Sequence, residues 1–455
     1  MKQLRLFLLL AAGLFLTSCS EPQPDEFPNP DPPPTVGRHA VPIDQALGEL
    51  HDLLGVIDGQ GTRAGGVRTI AQVQTLHAQA LALTRSASEP GEQPEELLYV
   101  VNFEDDAGYA VLGADDRLPG VLAVTDEGSL TTEELVRAAN GQTTPEEFTF
   151  PNEMLMNYVS GIGGIGGGGI GGGGIGGGGI PTGPFTDFDT QLGNPPAGFE
   201  GYEWSDWKNL EYVAPMVTTR WHQEDPFNRH CPVIGGETCV AGCAAIAMAQ
   251  IVASNHLHHN VSPGRIGNIS LNWTLIRQGI IDPDLLNRNS SIANQVALLV
   301  AALGLKLGMN YGVTQSGASI DDAEYCFKYI GYKGVNNHTF RPSYVRTMLW
   351  ERQRPTYVRA VNAQKEGHAW VADGWLYRRR DQYAVIFGKR SDYSVSNQTQ
   401  TLMHCNFGWG GRCDGFYHIG LFNTNEQAVI PDIDYTPVDD DYNGGKRMIT
   451  YTEMY

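Results

Sequence analysis

The chain has 455 residues, 41% hydrophobic and 18% charged, a composition of folded domains rather than of disorder. Its length exceeds what a single core usually holds and predicts two or three domains behind a targeting segment. A net charge of −20 argues against nucleic acid as a partner, because few cations are available to neutralise phosphates.

The first residues predict export. Lys2 and Arg5 precede an apolar run over residues 6–16, of signal-peptide length and too short to span a bilayer as a helix. The run ends in Leu16-Thr17-Ser18-Cys19, which looks like a bacterial lipobox. Residues 1–18 are therefore expected to be a removable signal, with Cys19 carrying lipid and holding the protein at the cell envelope. An ordinary signal peptide with a chance Cys is the alternative. Residues 19–39, rich in Pro and acid, read as a disordered tether.

Residues 1–160 carry 24 acidic and 8 basic side chains, so the front third is chemically distinct. Within it, residues 40–160 read as a small α+β domain. Helical spacing runs from about 40 to 90, as in Ala46, Leu50, Leu53 and Leu54. Strands are expected over 97–103, at Tyr109-Ala110-Val111-Leu112 and over 121–124. Residues 161–184 read as a Gly-rich linker with a five-residue GGGGI period, though its regularly placed isoleucines at 162, 165, 170, 175 and 180 also admit a packed glycine-rich structure. Glycine loses the most backbone freedom on folding, so such a tract resists structure. Residues 185–455 then read as a larger globular domain.

Four segments of that domain carry chemistry. In Cys239-Val240-Ala241-Gly242-Cys243-Ala244-Ala245-Ile246-Ala247-Met248-Ala249-Gln250-Ile251, a breaker-free apolar run begins after Gly242. It predicts a buried helix starting at Cys243, where the helix dipole favours a nucleophilic thiolate. Taken alone, Cys243 fits a buried small hydrophobe as well. Cys231, Cys239 and Cys243 beside His230 also admit a zinc reading, without the second CxxC pair that would support it. Gly367-His368-Ala369-Trp370-Val371 places an imidazole at a strand start, a candidate general base. In His404-Cys405-Asn406-Phe407-Gly408-Trp409-Gly410-Gly411, the Asn406 amide could orient that ring and Trp409 could shield it, or the two are a turn residue and a core residue. Gln223 in Trp221-His222-Gln223-Glu224 is either an oxyanion donor or a surface polar group.

Together these segments resemble the streptopain family of papain-like cysteine proteases. Cys243, His368, Asn406 and Gln223 fall on its nucleophile, histidine, asparagine and oxyanion-glutamine motifs. Residues 95–130 are similar to its inhibitory propeptide. The resemblance implies an α+β, papain-like fold of a helical part and an antiparallel sheet part, preceded by an inhibitory propeptide domain. It implies a secreted cysteine endopeptidase made as a zymogen, with Cys243, His368, Asn406 and Gln223 catalytic, Gly367 and Trp409 at the substrate, and no metal or cofactor. Protein substrates, its own propeptide and the membrane are the expected partners. A hydrophobic residue at P2, one before the residue on the N-terminal side of the cut, is expected to be preferred. Residues 376–402, longer and more basic than the family pattern, suggest an extra hairpin near the cleft. Cys231 with Cys239, and Cys405 with Cys413, are feasible short-loop disulfides. A catalytically inactive papain-like binding lipoprotein is the alternative function, and a zinc-binding or disulfide-stapled adhesin a third.

Overall fold

A computed structural model describes residues 39–59, 68–81, 96–140, 150–163, 198–361, 367–422 and 446–454. Cys19, the tether and nearly all of the glycine repeat lie outside these residues.

Near the front, strands β1 (Ile70–His77), β2 (Glu96–Phe103), β3 (Tyr109–Gly113) and β4 (Val121–Thr125) form an antiparallel meander. The three expected strands are all present. The helical spacing expected from about 40 to 90 holds for α1 (Ile43–Ile57) but fails for β1. Ile70, Val73 and Leu76 recur every three residues as on a helix, yet the segment pairs with β2. Its β-branched side chains favour extended backbone, and the open edge of β2 supplies a ladder.

No side chain of β2, β3 or β4 is exposed, because helices cover both faces. Leu50 and Leu53 of α1 pack on Tyr99, Val101 and Leu112. Helices α2 (Thr132–Ala139) and α3 (Phe150–Gly163) pack Leu135, Met154 and Leu155 against Leu98, Val100 and Val111 on the opposite side. A capping box of Thr131 and Glu134 starts α2, each side chain satisfying the other's backbone donor.

The remaining strands of this sheet are β5 (Phe199–Trp204), β6 (Lys208–Val213), β7 (Asn336–Thr339), β8 (Thr356–Val361), β9 (Gly367–Ile386), β10 (Lys389–Asn406), β11 (Gly415–His418) and β12 (Arg447–Thr450). They continue the same sheet in the order β1-β2-β3-β4-β11-β10-β9-β8-β12-β7, with β5 and β6 paired to the far part of β9. The join is β4 against β11, where Val124 faces Phe416. The front segment and the larger domain thus share one twelve-stranded sheet and one core. Helices α4 (Cys243–His259), α5 (Trp273–Ile281), α6 (Ser290–Lys306) and α7 (Ile320–Tyr329) build a second core with Tyr357, Ala369, Val371 and Ile449 of the strands. This is the α+β arrangement expected, helices beside an antiparallel sheet.

Two expectations are corrected. The extra hairpin exists, β9 and β10 running far beyond the cleft, but its arginines do not reach the nucleophile. Arg378 and Arg380 stack over Trp207, Arg380 also over Trp204, and Arg380 pairs with Glu49 of α1 at 2.7 Å. Neither expected disulfide is formed: the six described cysteines are free thiols. Cys405 points into the core at the Trp370 indole, and Cys413 bonds Tyr109.

Candidate active site

Helix α4 is apolar on all sides and buried from Ala244 to His256. Gly242 precedes it at φ 87°, where side chains are disfavoured, and a Cβ there would lie 2.8 Å from Met309 Sδ. That turn sets Cys243 as the first helical residue. The N–H groups of Cys243 and Ala244, with that of Ala369 from β9, point at its sulfur. Burial pushes the thiol up, opposed by those N–H groups and by the Arg359 guanidinium.

His368 is the second residue of β9. Strand side chains alternate, so it leaves on the same face as Trp370 and Ala372, which pack toward α3. Its Nε2–H donates to the Phe407 carbonyl at 3.0 Å, leaving Nδ1 as the basic nitrogen. Trp409 stacks on the ring at 4.4 Å, and Phe150 of α3 lies 5.8 Å away. Burial among these rings holds His368 down at about 4, against the pull of the Phe407 carbonyl, so it is neutral. Among the described residues no hydrogen bond joins Cys243 to His368.

Asn406 closes β10. Its Oδ1 accepts from Gln250 Nε2 at 2.8 Å and from Gly408 N–H at 3.1 Å, and its Nδ2 donates to the Thr219 carbonyl at 3.0 Å. The side-chain bond to His368 expected of Asn406 is therefore not made in this conformation, and the carbonyl of the next residue takes that place. The reason lies on α4: Gln250 is fully buried and must find partners, which Asn406 and Thr219 supply.

Gln223 lines the cavity that holds Cys243, Gly367 and His368, a space of about 600 Å³. Its backbone carbonyl accepts from Ala241 N–H at 2.8 Å, tying it to the turn before the nucleophile. The fold thus brings Cys243, His368, Gln223 and Gly367 to one cavity and sets Trp409 on the His368 ring. Gln250, Phe150 and Arg359 were missed from the sequence. Gln250 had a readable signal: the first polar side chain after Cys243, two turns into the helix.

A second histidine stands on the neighbouring strand, opposite Gly374. His404 of β10 is buried, with Nδ1 2.7 Å from Asp373 and Nε2 3.3 Å from Asp126, the latter just past β4. Asp373 is fully buried and also accepts from Val217 N–H at 2.7 Å. Burial disfavours the imidazolium, yet the two carboxylates outweigh it and push His404 up to about 10. Among the described residues no three His, Cys, Asp or Glu side chains group to hold a metal, and His230 bonds Asn294 at 2.7 Å.

The Peptidase C10 family matches residues 221–417, a stretch containing all four catalytic candidates. Streptopain of Streptococcus pyogenes is 24% identical over 243 residues, covering 45% of this chain. The chain spans about half the length of that curated relative, 54%. Two solved structures from Prevotella intermedia are similar at lower level. A prointerpain A fragment has TM-score 0.47 and 19% identity, covering 83% of this chain and 98% of its own. Active interpain A cysteine protease has TM-score 0.37 and 20% identity, covering 53% and 95%.

Proposed function

We propose that the chain is a cysteine endopeptidase of the Peptidase C10 type, synthesised as a zymogen and exported on a lipid anchor at Cys19. The observation that carries the peptidase reading is Cys243 at a helix N-terminus, with three backbone N–H groups on its sulfur and His368 in the same cavity. Those donors would stabilise a thiolate once His368 Nδ1 takes its proton. The thiolate attacks the scissile carbonyl, and the oxyanion that forms is held by the Cys243 N–H with the Gln223 amide. His368 then protonates the leaving amine, and water cleaves the acyl-enzyme thioester.

The zymogen reading rests on Phe150 and the shared sheet. Helix α3 packs Phe150 against the His368 ring, which is tied to Phe407 rather than turned to Cys243. Residues 40–160 would act as the inhibitory segment, released by cleavage within 181–212, past the glycine tract. Protein lacking residues 1–20, with and without Cys243→Ala, is incubated with casein under reducing conditions. The wild type is expected to cut casein and to process itself. Cys243→Ala should lose at least about a thousandfold in rate, as loss of a nucleophile does elsewhere. Equal hydrolysis by both proteins would refute the assignment of Cys243. If neither cuts after limited nicking of 161–212, the binding-lipoprotein reading takes over.

A further inference from the structure

Arg359 is a cation in the catalytic cavity that favours the Cys243 thiolate but has no assigned part in binding substrate. It lies on β8, paired with Ala369 of β9, on the sheet face turned toward α4 and Cys243. Its guanidinium lines the same cavity as Cys243, His368 and Gly367. Gly367 makes room for it, since a Cβ there would lie 2.7 Å from Arg359 Nη2. Two further features bear on its role. Among the described residues no carboxylate pairs with it; Asp322 lines the cavity, but its Oδ2 already accepts from Ser319 N–H at 3.1 Å and Oγ at 2.6 Å, capping α7. And Arg359 faces Arg447 of β12 directly across the ladder, on the same side of the sheet. Like charges directly opposite are destabilising. Among the described residues Arg447 bonds a neutral amide, Asn337 at 2.9 Å. The opposite wall is polar rather than apolar, with Asn310, Thr314, Gln315 and Ser316.

A half-buried arginine beside a second arginine, lining the cavity that also holds the nucleophile, has no carboxylate partner among the described residues. A peptide carboxylate entering that cavity would supply one, and the planar fork of Arg suits it. We propose that Arg359 is the carboxylate-recognising residue of the cleft, selecting substrates with Asp or Glu next to the scissile bond. This rests on the peptidase reading and departs from the hydrophobic preference that the family resemblance implied.

The test uses the full chain, incubated in reducing buffer until processed, and peptide sets that differ only in Glu, Gln, Leu or Lys at each position flanking the cut. Wild type should favour Glu over Gln at one position by about tenfold in kcat/KM, the loss of one charge-assisted hydrogen bond. Arg359→Gln should bring that ratio to about one, Arg359→Lys should keep part of it, and Arg359→Glu should turn it toward Lys. Wild type that cuts Leu and Gln peptides as well as Glu peptides, with ratios unmoved by Arg359→Gln, overturns the subsite while the peptidase reading stands. Absence of any cleavage, with Cys243 still alkylated by iodoacetamide, removes the peptidase reading and the subsite with it.

Discussion

His368 on β9 and His404 on β10 stand on neighbouring strands of one sheet, both enclosed, yet they are held in opposite protonation states. Around His368 lie Phe150, Phe407, Trp370 and Trp409, with one carbonyl as its polar partner. Around His404 stand Asp373 and Asp126. The same imidazole is neutral in the first setting and charged in the second, because desolvation outweighs one carbonyl in one and is outweighed by carboxylates in the other. A neutral ring can accept a proton and serve as a base. A permanently charged one can only hold its neighbours, so His404 fastens the strands on which the site is built.

The largest expected effect breaks the charged member of the pair. His404→Ala leaves the fully buried Asp373 without its cation and should cost about 3–5 kcal/mol in urea unfolding. His368→Ala removes a ring with one carbonyl bond and should cost less than about 1.5 kcal/mol. Similar losses for both would end the contrast.

The pH dependence sharpens it. His404 is raised above its unfolded value of 6.5, so its stabilisation is full below 6.5 and disappears as pH rises through about 10. His368 is lowered, so burying it neutral costs stability as pH falls from 6.5 toward about 4. Urea midpoints across pH should therefore lose their alkaline slope in His404→Gln and soften their acid slope in His368→Gln. Superimposable profiles for the two variants would contradict the assigned states.

Phe150→Ala tests what keeps His368 neutral and turned away. An aromatic contact is worth about 0.5–1.5 kcal/mol, so the full chain should process itself about two- to tenfold faster. Unchanged or slower processing counts against Phe150 as the restraint. The smallest effect belongs to Asp126→Asn. That carboxylate is part-exposed and 3.3 Å from His404, and its loss should change stability by less than about 1 kcal/mol.

The sequence revealed the elements with local signals and hid the ones made by distant partners. Cys243 was readable because Gly242 and the apolar run mark a helix start, and β2 to β4 because their apolar runs are bounded by turns. Asn406 ends β10 beside the residue whose carbonyl holds His368, but its bonding was not readable: Gln250, on a helix far away in the chain, captures its amide. β1 was misread because its apolar residues recur at helical spacing, and only pairing with β2 decides the matter. His404 looked like part of the asparagine motif, and nothing local announces Asp126 as its partner.

The join of β4 to β11 carries a consequence for maturation. The proposed cut within 181–212 would sever the chain but leave the ladder from Gly415 to Tyr417 intact, so the front piece would remain hydrogen-bonded to the enzyme. Its departure strips β11 of a neighbour and bares a row of amides and carbonyls beside Phe416 and Tyr417. An uncovered edge of that kind recruits any extended peptide, including another copy of itself. On the proposed zymogen reading, activation would mean disposing of a strand as much as breaking a bond, and a nicked enzyme that keeps the piece is expected to stay inactive.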